Sequence, residues 1–168
     1  IETTNNTFGD YDSAFARCAL SVQNNTSYWT SATIQNLTDA WCAFQIRVGG
    51  QTYNVTQTIW RWHNAAGTTR FSMTYNRQTF QLALYYWNGT ALTLAGSAIT
   101  LDANSTRQRI DIHVTCNTAT GLADLYVAGT KRISSGVIDL TATTEVNAVL
   151  IRGMDYASGV IEIPVYWS

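Results

Sequence analysis

The nine residues "QRIDIHVTC" (108–116) alternate without a break: Ile110, Ile112, Val114 and Cys116 fall in one phase, Arg109, Asp111, His113 and Thr115 in the other. Side chains on extended backbone point to opposite faces in turn, so one phase meets an apolar core and the other meets water. This is a half-buried strand of an antiparallel sheet. A helix would repeat its apolar positions at three and four.

The same period of two extends in both directions. Further strands are expected at "SAFARCALSV" (13–22), "WCAFQIRV" (41–48), "TIWRWH" (58–63), "RFSMTY" (70–75), "FQLALYYW" (80–87), "GLADLYVAG" (121–129), "KRISS" (131–135), "VNAVLIRG" (146–153) and "GVIEIPVYW" (159–167). β-Branched and aromatic residues dominate each of them. The turn signals "VGGQ", "NAAGT", "WNGT", "CNTATG", "AGTK" and "YASG" punctuate the runs. Asn88-Gly89 and the Gly129 turn mark two hairpins, and "TLDANSTRQR" reads as a loop or a short helical turn. Many short strands joined by tight turns define an all-β, two-sheet antiparallel β-sandwich, expected here as a single domain over residues 1–168.

Composition agrees and narrows the function. Hydrophobic residues make up 46% of the 168 and charged residues only 12%, about half the roughly 25% of ordinary soluble domains. The surface must be built from Thr, Asn, Ser and Gln. Lys131 is the sole lysine beside nine arginines and the net charge is −1, so no basic stripe exists to track a nucleic-acid backbone. No apolar run is long enough to span a membrane as a helix, and no signal-peptide pattern opens the chain. Because residue 1 is Ile and not Met, an upstream segment is expected to be missing, and a targeting sequence there stays open.

Cys18, Cys42 and Cys116 are odd in number and lack metal-ligand spacing. They read as buried free thiols in preference to one disulfide. Seven N-x-Ser/Thr sequons begin at Asn5, Asn24, Asn25, Asn36, Asn54, Asn88 and Asn104. They suit a secreted glycoprotein, and equally an Asn/Thr-rich surface that never meets a glycosylation enzyme.

In order along the chain, "WCAFQIRV", "TIWRWHNAAGTTRFSMTY", "FQLALYYWNGT", "RIDIHVTCNTATGLADLYVAGTKRISSG" and "GVIEIPVYW" resemble the concanavalin A-like jelly roll in its laminin-G-like form, over about residues 40–168. The segment "GLADLYVAGTKRISSG" carries most of the likeness: a strand ending in aliphatic-Tyr-Val-x-Gly turns tightly and returns as its hairpin partner. The opening "FGDYDSAFARCALSV" looks like the first strands of jelly-roll domains attached to bacteriophage tail and capsid surface proteins. The resemblance implies a virion-surface module that contacts other virion proteins, copies of itself or surface carbohydrate. Hydrolytic and calcium-binding relatives exist, but a shared fold does not transmit a site.

The residues themselves argue against chemistry. Glycosidases hold two carboxylates across the scissile bond, and the only glutamates, Glu2, Glu145 and Glu162, form no pair in the sequence. His63 and His113 lack a Ser or Cys neighbour in a nucleophile context. Asp111 and His113 share a strand face and are expected to make a plain surface hydrogen bond. Asp10 with Asp12, or Asp102 with Asn104, are too few ligands for calcium. No enzyme activity, metal or cofactor is expected.

Binding is the remaining class. In the 58–75 hairpin, Trp60 and Trp62 share one phase, and Phe71, Met73 and Tyr75 another; these should fill the sandwich. Arg61, His63 and Arg70 would then form an outward polar strip. Tyr85, Trp87 and Asn88 are a second candidate set, since "FQLALYYW" is aromatic in both phases. Sugars suit such surfaces because their C–H faces stack on rings while hydroxyls take directed hydrogen bonds. The alternatives are a secreted lectin or adhesion domain and, third, a glycoside hydrolase.

Overall fold

The computed structural model describes residues 2–4, 7–8, 20–21, 28–30, 38–47, 54, 56–64, 66–76, 78–102, 107–117, 119–140 and 148–152. Within them lie β1 (Glu2–Thr4), β2 (Thr7–Phe8), β3 (Leu20–Ser21), β4 (Tyr28–Thr30), β5 (Asp39–Arg47), β6 (Thr56–His63) and β7 (Thr69–Asn76). The chain continues through β8 (Gln81–Trp87), β9 (Leu92–Leu94), β10 (Ile99–Thr100), β11 (Arg107–Thr115), β12 (Leu122–Val127), β13 (Thr130–Ser134) and β14 (Ala148–Arg152).

Two sheets face each other. The larger runs β1-β4-β14-β6-β7-β8-β10, with β9 pairing the far half of β8. The smaller runs β13-β12-β11-β5, and β2 pairs β3 apart from both. Every pairing is antiparallel. The expected all-β sandwich is therefore present. Of the expected strand 13–22 only Leu20–Ser21 is described, and 159–167 lies outside the described residues. Among the described residues no helix is long and apolar enough to cross a membrane.

The alternation of residues 108–116 sets the smaller sheet. Ile110, Ile112 and Val114 are wholly buried. Ile112 stands between Cys42 of β5 and Leu125 of β12, and Ile110 between Phe44 and Val127, so one apolar row follows another across three strands. From the larger sheet Trp60, Trp62, Phe71, Met73, Tyr75, Leu82 and Leu84 complete the same core. The two indoles meet edge to face with centroids 5.2 Å apart, an arrangement that matches the charge distribution of aromatic rings.

Alternation breaks at two places in the 58–75 hairpin. Thr58 pairs with Thr74 but Trp60 pairs with Met73, so Ile59 is an extra residue. Ile59 and Trp60 are consequently both buried, where strict alternation would expose one of them. Further along, Trp62 pairs with Phe71 and His63 with Thr69, which leaves Arg70 as a second extra residue.

The turns use the residues their geometry demands. Between β12 and β13, Ala128 (φ 50°) and Gly129 (φ 79°) both adopt the left-handed region, as a two-residue hairpin of the primed type requires. Gly96 (φ 67°) brings the β9–β10 connection against β13, so closely that a Cβ there would lie 2.5 Å from the Ser134 carbonyl oxygen. Cys42 and Cys116 are buried thiols outside any disulfide, as expected, while Cys18 lies outside the described residues. Burial pushes the Cys42 thiol up to about 12, the Trp60 indole pulling weakly against this and Asp111 adding to it.

Candidate functional site

Both sheets turn their second face outward, and the two faces differ. On the larger sheet one row crosses Arg61, Ser72, Tyr85 and Leu94 from β6 to β9. Beside it runs a groove of about 150 Å³ lined by Thr56, Thr74, Asn76, Gln81, Ala83, Tyr85, Leu94 and Ala98. Short side chains at Thr74 and Ala83 form its floor, because a directly paired small residue on each strand leaves room above the sheet. Asn76 is committed to structure: its amide donates to Asn54 Oδ1 (2.8 Å) and Thr56 Oγ1 (2.9 Å), and its carbonyl accepts from the Gln78 and Thr79 amides. Thr74, Gln81 and Tyr85 are further polar residues of the lining.

The sequence candidates divide accordingly. Arg61 and Tyr85 flank Ser72 in one row, Tyr85 lines the groove, and Trp87 is half-buried two residues further along β8. Arg61, His63 and Arg70 are half-buried, so they do not form an open strip. The His63 Nδ1–H donates to the Gly67 carbonyl at 3.0 Å within its own turn. Burial lowers the His63 pKa from its ordinary 6.5, the Gly67 carbonyl opposing this and Arg61 reinforcing it. Asn88 is likewise a turn residue: its carbonyl accepts from the Thr90 and Ala91 amides at 2.9 Å each, and its amide donates to Thr93 Oγ1 at 2.8 Å. Both were candidates by residue type, yet their polar atoms shape loops.

The smaller sheet presents a set of residues that the sequence reading did not bring together. Trp41, His113, Asp124 and Ser134 stand in one cross-strand row over β5, β11, β12 and β13. The Trp41 ring lies parallel to the His113 ring, 4.1 Å between centroids and 8° between planes, and Tyr126 tilts toward it at 5.6 Å. His113 Nε2 is 2.9 Å from Asp39 Oδ1. The expected Asp111–His113 bond is thus corrected. Asp111 instead accepts from Arg109, at 2.8 Å from Nε and 2.7 Å from the terminal nitrogen, because a neighbour two residues along the same strand reaches it with a fork.

Asp124, 2% exposed, accepts from Ser134 Oγ (2.6 Å) and pairs with the Lys131 ammonium. That hydrogen bond raises the Lys131 pKa, with a small opposing effect of burial. The signal in the sequence was Trp41 itself, a large ring on the phase of Ala43 and Gln45, opposite Cys42, Phe44 and Ile46.

Among the described residues no three His, Cys, Asp or Glu side chains gather as a metal site would need. Of the proposed calcium ligands, Asp10, Asp12 and Asn104 lie outside the described residues, as do Glu145 and Glu162.

No family model matches the sequence, and no curated protein matches it. Solved structures do match. A mutant of HCR/D superposes with a TM-score of 0.68 over 98% of this chain at 8% identity, and the chain spans 42% of that one's length. The CBM2 module of the evolved Dit of Lactobacillus casei BL23 phage J-1 gives 0.60 over 95% of this chain and 82% of its own, at 12% identity. The carbohydrate binding module CBM66 from Bacillus subtilis gives 0.56 over 98% and 92%, at 9% identity. The fold is a concanavalin A-like jelly roll. Identities this low carry the architecture alone, so within this jelly roll the two outer faces must be judged by their own side chains.

Proposed function

We propose that the chain is a non-enzymatic carbohydrate-binding module of a virion surface, with its glycan held in the groove of the larger sheet. One observation carries this: a groove of about 150 Å³ lined by Tyr85 and Leu94 together with the uncharged polar residues Thr56, Thr74, Asn76 and Gln81. Such a lining pairs one aromatic and one aliphatic surface with directed hydrogen-bonding groups, as a sugar ring requires. Its volume is below the roughly 300–1,000 Å³ of sites for drug-sized ligands, so one sugar unit enters and the rest of a glycan lies along the sheet.

The virion assignment, in the laminin-G-like branch of the fold, is supported by sparse lysine, abundant threonine and similarity to the phage J-1 module. Attachment to host-surface glycan, or to neighbouring virion subunits, follows from a surface this poor in charge. No E-x-D or E-x-x-x-E pair stands in the sequence, which argues against hydrolysis.

The test is a glycan array probed with the native chain and with Tyr85→Ala and Thr74→Arg. Binding that drops at least tenfold in both variants supports the groove, and binding unchanged in both removes it. The seven sequons sustain a secreted lectin as the second reading. Mass spectrometry of peptides from the native protein separates the two, since glycan mass on Asn36, Asn54 or Asn88 favours secretion and bare polypeptide the virion.

A further inference from the structure

We infer that the outer face of the smaller sheet is a second carbohydrate site, in which the flat C–H face of a neutral pyranose stacks on Trp41. This goes beyond the groove reading, shares no residue with it and does not depend on it. Trp41 is 52% exposed although it is among the largest apolar side chains of the chain. One of its faces is taken by His113, stacked at 4.1 Å and 8°. The exposed surface therefore includes the opposite face. An aromatic plane with one side backed and one side open is a stacking platform.

The platform is held in place before any ligand arrives. Asp39 fixes the His113 ring through Nε2 at 2.9 Å, His113 fixes the plane of Trp41, and Tyr126 forms a tilted wall 5.6 Å away. Lys131 Nζ lies 5.5 Å from the Tyr126 ring centre and is tied to Asp124. Rings fixed in this way lose little conformational freedom on binding, which is how a rigid paratope of aromatics gains affinity.

Charge selects the ligand class. Among the described residues each carboxylate on this face has a donor: Asp39 has His113, Asp111 has Arg109, and Asp124 has Lys131 with Ser134. A cationic ligand would meet the Lys131 ammonium beside Tyr126. A phosphate backbone would meet Asp39, whose side chain is 62% exposed. A neutral polyol meets neither penalty, and its hydroxyls find Asp39 and Lys131 at the rim as acceptor and donor. With the groove on the opposite sheet, the domain would hold two glycans on opposite sides and cross-link them, gaining avidity without new contacts.

The experiment uses an array of neutral oligosaccharides ending in galactose, glucose, mannose or N-acetylglucosamine, probed with the native chain, Trp41→Ala, Trp41→Phe and Tyr85→Ala, each checked for an unchanged melting temperature. Expected is a set of glycans on which Trp41→Ala falls tenfold or more, Trp41→Phe keeps part of the signal and Tyr85→Ala keeps all of it. Light scattering runs beside the array. The proposal is overturned if Trp41→Ala retains every signal, if no neutral glycan binds the native chain, or if the variant only converts an associated protein to monomer, since a second copy would then be what covers the ring. Loss in Trp41→Ala with none in Tyr85→Ala on any glycan would sink the groove reading and leave this site standing.

Discussion

On the larger sheet the outward residues around the groove are small or uncharged, and their polar atoms are spent largely on neighbouring loops, as at Asn76. On the smaller sheet the outward residues are rings and ion pairs bonded to one another across strands, as in the Trp41–His113–Asp39 and Lys131–Asp124–Ser134 sets. The groove takes its shape from small side chains, Thr74 and Ala83, flanked by larger ones. The platform takes its shape from side chains bonded to one another, so substitutions should separate the two.

The largest effect comes from the core that both faces share. Trp62→Ala should cost about 3–5 kcal/mol, the usual penalty for emptying an aromatic site, read from urea unfolding, and it should disable groove and platform together. If one face survived intact, the two would not be coupled through the core as described.

Asp124→Ala should cost about 1–3 kcal/mol through the loss of charge-assisted hydrogen bonds. It should loosen the platform while leaving groove binding unchanged; a matching loss in the groove would break the distinction. Asp124→Asn, which can still accept from Ser134, should cost less.

Acid should act on the other sheet. Because burial lowers the His63 pKa below its ordinary 6.5, the unfolded chain takes up the proton more readily. Stability is then fully present above about pH 6.5 and declines as pH falls toward the folded-state pKa. Comparing melting temperatures at pH 8 and pH 5 should show a smaller acid loss in His63→Gln than in the native chain. The 63–69 turn should be the first part to soften in hydrogen exchange.

The smallest expected change is a gain. Ala128 sits at φ 50° in the β12–β13 turn, where a Cβ costs about 1 kcal/mol. Ala128→Gly should raise stability by about 0.5 kcal/mol after its own entropy cost is counted. Thermal unfolding would show it, with no effect on either outer face.

The core was readable from local pattern. Ile110, Ile112 and Val114 needed only alternation, and Trp60 and Trp62 needed only the observation that Phe71, Met73 and Tyr75 lay across a turn from them. The bulges at Ile59 and Arg70 were not readable, because the sequence carries nothing that marks one strand as a residue longer than its partner. Tyr85 was found by counting aromatics in both phases. His63 and Asn88 were named for their chemistry, though their atoms bond to Gly67 and Thr93 in the turns they belong to. Trp41 was visible as a ring on a polar phase. Its meeting with His113 and Tyr126 is a matter of strand register between distant segments, which local pattern does not encode.

The sealed Cys42 thiol also makes the molecule its own stopwatch. A sulfur buried in the core, with its proton held up to about 12, reacts with alkylating reagents only in moments when the sheets part. The labelling rate of Cys42 in native buffer therefore counts opening events directly. Measured with and without a bound sugar, it would report how firmly either ligand clasps the sandwich shut.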